Sequence, residues 1–133
     1  MKHPFNEDRC SRRLLWEYQN YERLIIGLDF DNTIKTVKPD SPCDEVISLL
    51  QECSKLPKFC ICLWSVCPDG DKEVLEKVKY CESLGIRIDY VNDSPFLSEG
   101  RKAYFNVLLD DRAGLESAYN NLKFVIDSIK NEN

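Results

Sequence analysis

Four short runs of apolar residues punctuate the chain: Leu24–Leu28, Lys58–Trp64, Ile86–Val91 and Phe105–Leu109. Each is bounded by polar or turn-forming residues, the pattern of strands buried in a parallel sheet. Between and around them the apolar positions recur at helical spacing. Ser11 to Arg23 places Leu14, Leu15, Tyr18 and Tyr21 on one side, with Ser11 as cap. Ser41-Pro42 reads as a cap and first-turn proline, opening a helix that turns Val46, Ile47, Leu49, Leu50 and Cys53 inward and stops before Pro57. After the turn Pro68-Asp69-Gly70, the stretch Asp71 to Leu84 carries Val74, Leu75, Val78 and Cys81 on its inner face and is closed by Gly85. Asn92 to Gly100 is a polar loop, and Leu115 to Ile129 is a last helix with Leu115, Ala118, Leu122, Val125, Ile126 and Ile129 inward. Strands alternating with helices predict an α/β fold: three layers, Rossmann-like, with a mostly parallel sheet.

Length and charge narrow this picture. The 133 residues make a single domain, 1–133, in which 1–23 is an N-terminal extension with a helix and 24–130 the core. Eighteen basic against twenty-three acidic residues leave a net charge of −5, which argues against a protein that coats nucleic acid through bulk charge. The seven cysteines are odd in number and scattered, without a CxxC pair, and a single His leaves little for a zinc site. The expectation is free thiols in a reducing compartment. Residues 1–20 are polar rather than signal-like, and no apolar run approaches the ~20 residues of a membrane span. A cytoplasmic protein without a membrane partner is expected.

The polar residues that end the strands carry the chemistry. The first strand runs into Asp29-Phe30-Asp31-Asn32-Thr33, the second into Ser65 and the fourth into Asp110-Asp111. In an open parallel sheet, ligands bind outside the carboxyl ends of the strands. Four carboxylates at such an edge repel one another, and a divalent cation with all-oxygen ligands would relieve them; Mg²⁺, which also joins phosphate, suits that set. The bland alternatives are a surface turn at Asp29 and Asp31, and a helix cap at Asp110-Asp111.

The run from Leu24 to Thr33, an apolar strand followed by Asp-x-Asp-x-Thr, resembles the first motif of the haloacid dehalogenase (HAD) superfamily. Ile61–Ser65 resembles its second motif and Val107–Asp111 its fourth; the three stand in family order over residues 24 to 111. Lys102 best fits the third motif, a lone lysine before the last core strand, with Arg101 as a fallback. The resemblance implies a phosphatase that hydrolyses a phosphomonoester through an aspartyl-phosphate, with Mg²⁺ as cofactor. Asp29 would be the nucleophile and Asp31 the general acid and base. Ser65, Lys102 and Asn32 would bind the phosphoryl group. Asp29, Asp31, Asp110 and Asp111 would hold the metal, Asp31 through its backbone carbonyl, and Thr33 would brace the loop.

A receiver domain uses similar residues but in a different order, with its paired acids on the first strand. The stretches from Asp29 to Ser65 and from Ser65 to Lys102 are filled by core elements, apart from a flap at 34–40 bearing Lys35 and Lys38. The chain therefore resembles the capless branch. A bare site admits water unless a large substrate or a second copy of the chain covers it. Two other readings of the same residues are a module that binds or sequesters a phosphorylated ligand or nucleotide without hydrolysis, and a phosphotransferase. The substrate, small molecule or macromolecule, has no readable code here.

Overall fold

Leu24–Leu28 forms β1, buried at every position, and it pairs in parallel with two neighbours. A computed structural model describes residues 5–67, 70–95 and 103–132. Along the chain the helix α1 (Glu7–Asn20) precedes β1. A hairpin of β2 (Lys35–Thr36) and β3 (Ser41–Pro42) follows it, then α2 (Asp44–Ser54) and β4 (Phe59–Leu63). Next come α3 (Asp71–Ser83), β5 (Tyr90–Val91), β6 (Val107–Leu109) and α4 (Leu115–Asn131). The main sheet has the order β5-β4-β1-β6 and is parallel throughout, so the α/β architecture is compatible with a Rossmann-like fold. Register is set by Leu24 opposite Phe59 and by Ile26 opposite Val107. No helix among the described residues is long and apolar enough to cross a membrane.

Alternation along the strands separates two faces. Leu24, Ile26 and Leu28 of β1, Phe59, Ile61 and Leu63 of β4, and Val107 and Leu109 of β6 join one core cluster. Leu14 of α1, Val46 and Leu50 of α2, Cys81 of α3, and Leu122 and Val125 of α4 complete it. All four described helices thus bury their stripes against one face. The other face presents Ile25, Cys60 and Cys62, packed under Trp64, Tyr90 and Phe105. It carries no helix among the described residues, so the expected third layer is not seen there. Phe105, just ahead of β6, packs on this second face, with its ring 5.8 Å from that of Trp64. Close packing on that face explains Gly27: a Cβ there would lie 2.8 Å from Phe105 ring atoms and 2.9 Å from Leu108 Cδ1.

Two of the expected strands are shorter than their apolar runs, for one reason. Beside β6, the buried Asn106 places its side-chain oxygen on the Ile25 amide at 2.6 Å, while its own amide donates to the Ile25 carbonyl at 2.8 Å. Beside β5, Asp89 Oδ2 accepts from the Ile61 amide at 2.8 Å. Side chains here complete the backbone pairing that further strand residues would otherwise supply. Other boundaries also move. Helix α1 starts at Glu7 because Asn6 caps it, accepting from the Arg9 amide at 2.9 Å. Ser11 is an interior residue bonded to Asn121. Ser41-Pro42 forms the short hairpin instead of a helix start, and α2 begins after Cys43 without a side-chain cap. Arg13, on the exposed side of α1, pairs with Glu17 at 2.8 Å, and Glu17 also accepts from Asn106 Nδ2 at 2.8 Å.

The cysteines form no disulfide among the described residues. Burial pushes the Cys53 thiol up to about 12 and Cys81 up to about 11, which keeps both as neutral apolar groups.

Candidate phosphate and cation site

Asp29 lies one residue beyond β1, and its amide still donates to the Leu109 carbonyl at 2.9 Å, so the strand pairing carries it to the edge beside β6. Asp110 and Asp111 end β6 at the same level. One carboxylate oxygen from each of Asp29, Asp110 and Asp111 lies within 4.8 Å of the others. Thr33, fully buried, ties the two strand ends together. Its hydroxyl donates to Asp29 Oδ2 at 3.2 Å and accepts from the Asp111 amide at 3.1 Å. Asp110 Oδ1 is oriented by the Arg112 amide at 2.9 Å.

The like charges have a visible effect. Burial and the neighbouring Asp110 carboxylate raise Asp29 from 3.8 to about 6, against the opposing hydrogen bonds from Thr33 and the Phe30 backbone. Three clustered carboxylates, one with its ionised form disfavoured, make an all-oxygen donor set that a hard divalent cation fits.

Asp31, in the turn after β1, is not part of this trio. Residues 30–34 wind tightly, with the Ile34 amide on the Phe30 carbonyl at 2.9 Å and Asn32 in the left-handed region at φ 60°. Asparagine tolerates that conformation better than most side chains. The Asn32 side-chain oxygen accepts from the Val37 amide at 3.2 Å, which engages it with the β2–β3 flap. In that flap, Lys35 pairs with Asp40 at 3.3 Å and stands 4.6 Å over the Tyr80 ring.

Asp31 faces a lysine that the sequence reading passed over. Lys77 of α3 is buried, with only 8% of its side chain exposed. Its Nζ donates to Ser65 Oγ at 2.7 Å and lies 3.4 Å from Asp31 Oδ2, from the Val66 carbonyl and from Glu73 Oε1. The Phe30 ring centroid is 5.5 Å away. Burial alone would lower this ammonium, but Asp31 and the hydrogen bonds of Glu73 and Asp31 carry it above its ordinary value. Ser65 is set by Asn92, whose side-chain oxygen accepts the Ser65 amide at 2.9 Å.

The residues expected at the site therefore divide into groups. Asp29, Asp110 and Asp111 come together; Asp31 and Ser65 share Lys77 at the end of the neighbouring strand. Lys102 and Arg101 lie outside the described residues. Lys77 had a legible signal, because Val74, Lys77, Val78, Cys81 and Leu84 form one helical stripe. The expected inner residue Leu75 is instead 52% exposed. No protein-family model, curated protein or solved structure matches the chain.

Proposed function

We propose that this chain is a Mg²⁺-dependent phosphomonoester hydrolase of the haloacid dehalogenase type, acting through an aspartyl-phosphate on Asp29. One observation carries the reading. The carboxylates of Asp29, Asp110 and Asp111 gather within 4.8 Å at the carboxyl edge of the sheet, braced by Thr33, with Asp31, Ser65 and Lys77 beside them. A capping or turn role accounts for one such residue, not for a charged cluster that disfavours its own ionisation.

The reaction follows from the roles these side chains can take. An Asp29 carboxylate oxygen attacks phosphorus, forming an O–P bond as the bond to the leaving oxygen breaks. Protonated Asp31 gives that oxygen its proton. Water then attacks the phosphoryl group and passes a proton to Asp31; the Asp29–phosphorus bond breaks, and inorganic phosphate leaves. Both carboxyl groups return to their starting states. Asp29, Asp110 and Asp111 would hold Mg²⁺, whose charge offsets that of the carboxylates and of the phosphoryl oxygens. Ser65 donates its hydroxyl hydrogen to the phosphoryl group.

The hairpin β2–β3 is the sole insertion between β1 and α2, in keeping with a capless enzyme. Such a site suits a phosphorylated substrate large enough to shield it, or a second copy of the chain that closes over it. Turnover of p-nitrophenyl phosphate with Mg²⁺ tests the reading: Asp29→Asn and chelation should each abolish release of inorganic phosphate. A new phosphoester in place of free phosphate identifies a phosphotransferase. Ligand recovered unchanged after long incubation identifies a binding module.

A further inference from the structure

Burying an ammonium costs free energy unless good partners surround it, and exposed positions were available to Lys77 elsewhere on α3. Its neighbours on the helix, Lys72 and Lys79, are exposed. Lys77 instead takes a place on the inner stripe that Val74, Val78, Cys81 and Leu84 otherwise fill. Its charge ends between the hydroxyl that follows β4 and the second acid that follows β1. The bonding there is unequal. An ammonium has three hydrogens, and four oxygens compete for them. Only the contact to Ser65 Oγ is short, at 2.7 Å, while Asp31, the Val66 carbonyl and Glu73 all stand at 3.4 Å. Contacts at that length are weak and can give way to a more strongly charged acceptor.

We infer that Lys77, delivered by α3, is a cation that receives the phosphoryl group in this site, with Ser65 as its co-ligand. The inference rests on the phosphoryl-transfer reading above and adds a second cation, from α3, to the expected Lys102, which lies outside the described residues. Ser65 and Lys77 form the anion-binding half of the site, and Asp29, Asp110 and Asp111 the cation-binding half. Asp31 stands beside the anion-binding half, 3.4 Å from Lys77 Nζ. The charge of an incoming phosphoryl group replaces the long contacts to Glu73 and Val66. The short bond to Ser65 keeps the ammonium in place throughout.

The test uses the whole chain with Mg²⁺ and two readouts: binding of inorganic phosphate by calorimetry and turnover of p-nitrophenyl phosphate. Lys77→Gln should weaken phosphate binding at least ~10-fold and lower kcat/KM by ~10²- to 10³-fold, the loss typical of a removed charge-stabilising donor. Lys77→Arg should restore part of both, and Lys79→Gln on the same helix should change neither. Circular dichroism confirms folding of each variant; if Lys77→Gln is unfolded, Lys77→Met and Ser65→Ala report on the same pair. A Lys77→Gln protein that is less stable but binds phosphate as tightly as the parent overturns the inference, since Lys77 would then be a structural ion pair. So does a parent protein that binds no phosphate. Turnover lost in Asp29→Asn yet kept in Lys77→Gln leaves the hydrolase reading standing without Lys77. Phosphate binding that depends on Lys77, with no turnover by the parent, leaves Lys77 standing and removes the hydrolase.

Discussion

Replacing Asp29 with asparagine should stabilise the metal-free protein at neutral pH even as it removes the proposed nucleophile. The carboxyl is raised from 3.8 to about 6 by burial and by Asp110, so its ionised form is less comfortable folded than unfolded. At ~1.4 kcal/mol per tenfold, the full shift corresponds to at most ~3 kcal/mol. Asp29 is only partly buried, and solvent screening brings the expected gain to ~1–1.5 kcal/mol. The sign follows from proton counting. Below about 3.8 the carboxyl is protonated in both states, and parent and variant should match. Between 3.8 and about 6 the folded parent holds the extra proton, so its stability falls as pH rises. Above about 6 the whole penalty is present. Thermal unfolding in chelator should therefore show Asp29→Asn melting ~4–6 °C above the parent at pH 7.5, with the gap closing toward pH 4. Saturating Mg²⁺ should reverse the order by stabilising the parent, ~2–3 kcal/mol at a hundredfold excess over Kd. Equal melting in chelator at pH 7.5, or a gap that widens on acidification, would refute the crowding of charge at Asp29 and with it the fit of a cation.

Three further substitutions probe the frame of the site. Gly27→Ala drives a methyl group to 2.8 Å from the Phe105 ring and should cost ~1–3 kcal/mol, read from the urea midpoint. Asn106→Ala removes the acceptor of the Ile25 amide and one donor to Glu17, and should cost ~2–4 kcal/mol in the same assay. Thr33→Val keeps the shape but cuts the link between Asp29 and the Asp111 amide; Mg²⁺ affinity, measured by calorimetry, should fall ~10-fold or more.

How far the chain could be read in advance depended on which force shaped each part. Strands β1 and β4 are fully buried at all their positions, so an apolar run marks them without ambiguity. Strands β5 and β6 were overread because Asp89 and Asn106 complete the backbone pairing with side chains, and no hydropathy pattern records that substitution. The hairpin at Ser41-Pro42 mimicked a capped helix start in residue type alone. The acids at the strand ends were legible because an apolar strand that stops at Asp is an abrupt local change. Lys77 carries a fainter mark: a lysine on a helix is ordinarily a solvated residue, and only its phase within the inner stripe sets it apart. The third layer was inferred from the alternation of elements, which counts helices but does not say which face each one takes.

The helix before β1 has a consequence for how short this protein can be made. Glu17 of α1 reaches the Asn106 side chain, and Asn106 in turn closes the start of both β1 and β6. Leu14 sits in the same core as Leu122 and Val125 of α4. The core these strands share therefore begins at α1 and not at β1. Trimming the chain to its acid-bearing strands would strip a buried amide of its partner and open the helix layer to water. The acids at one end of the sheet depend, through β1 and β6, on a clasp built at the other.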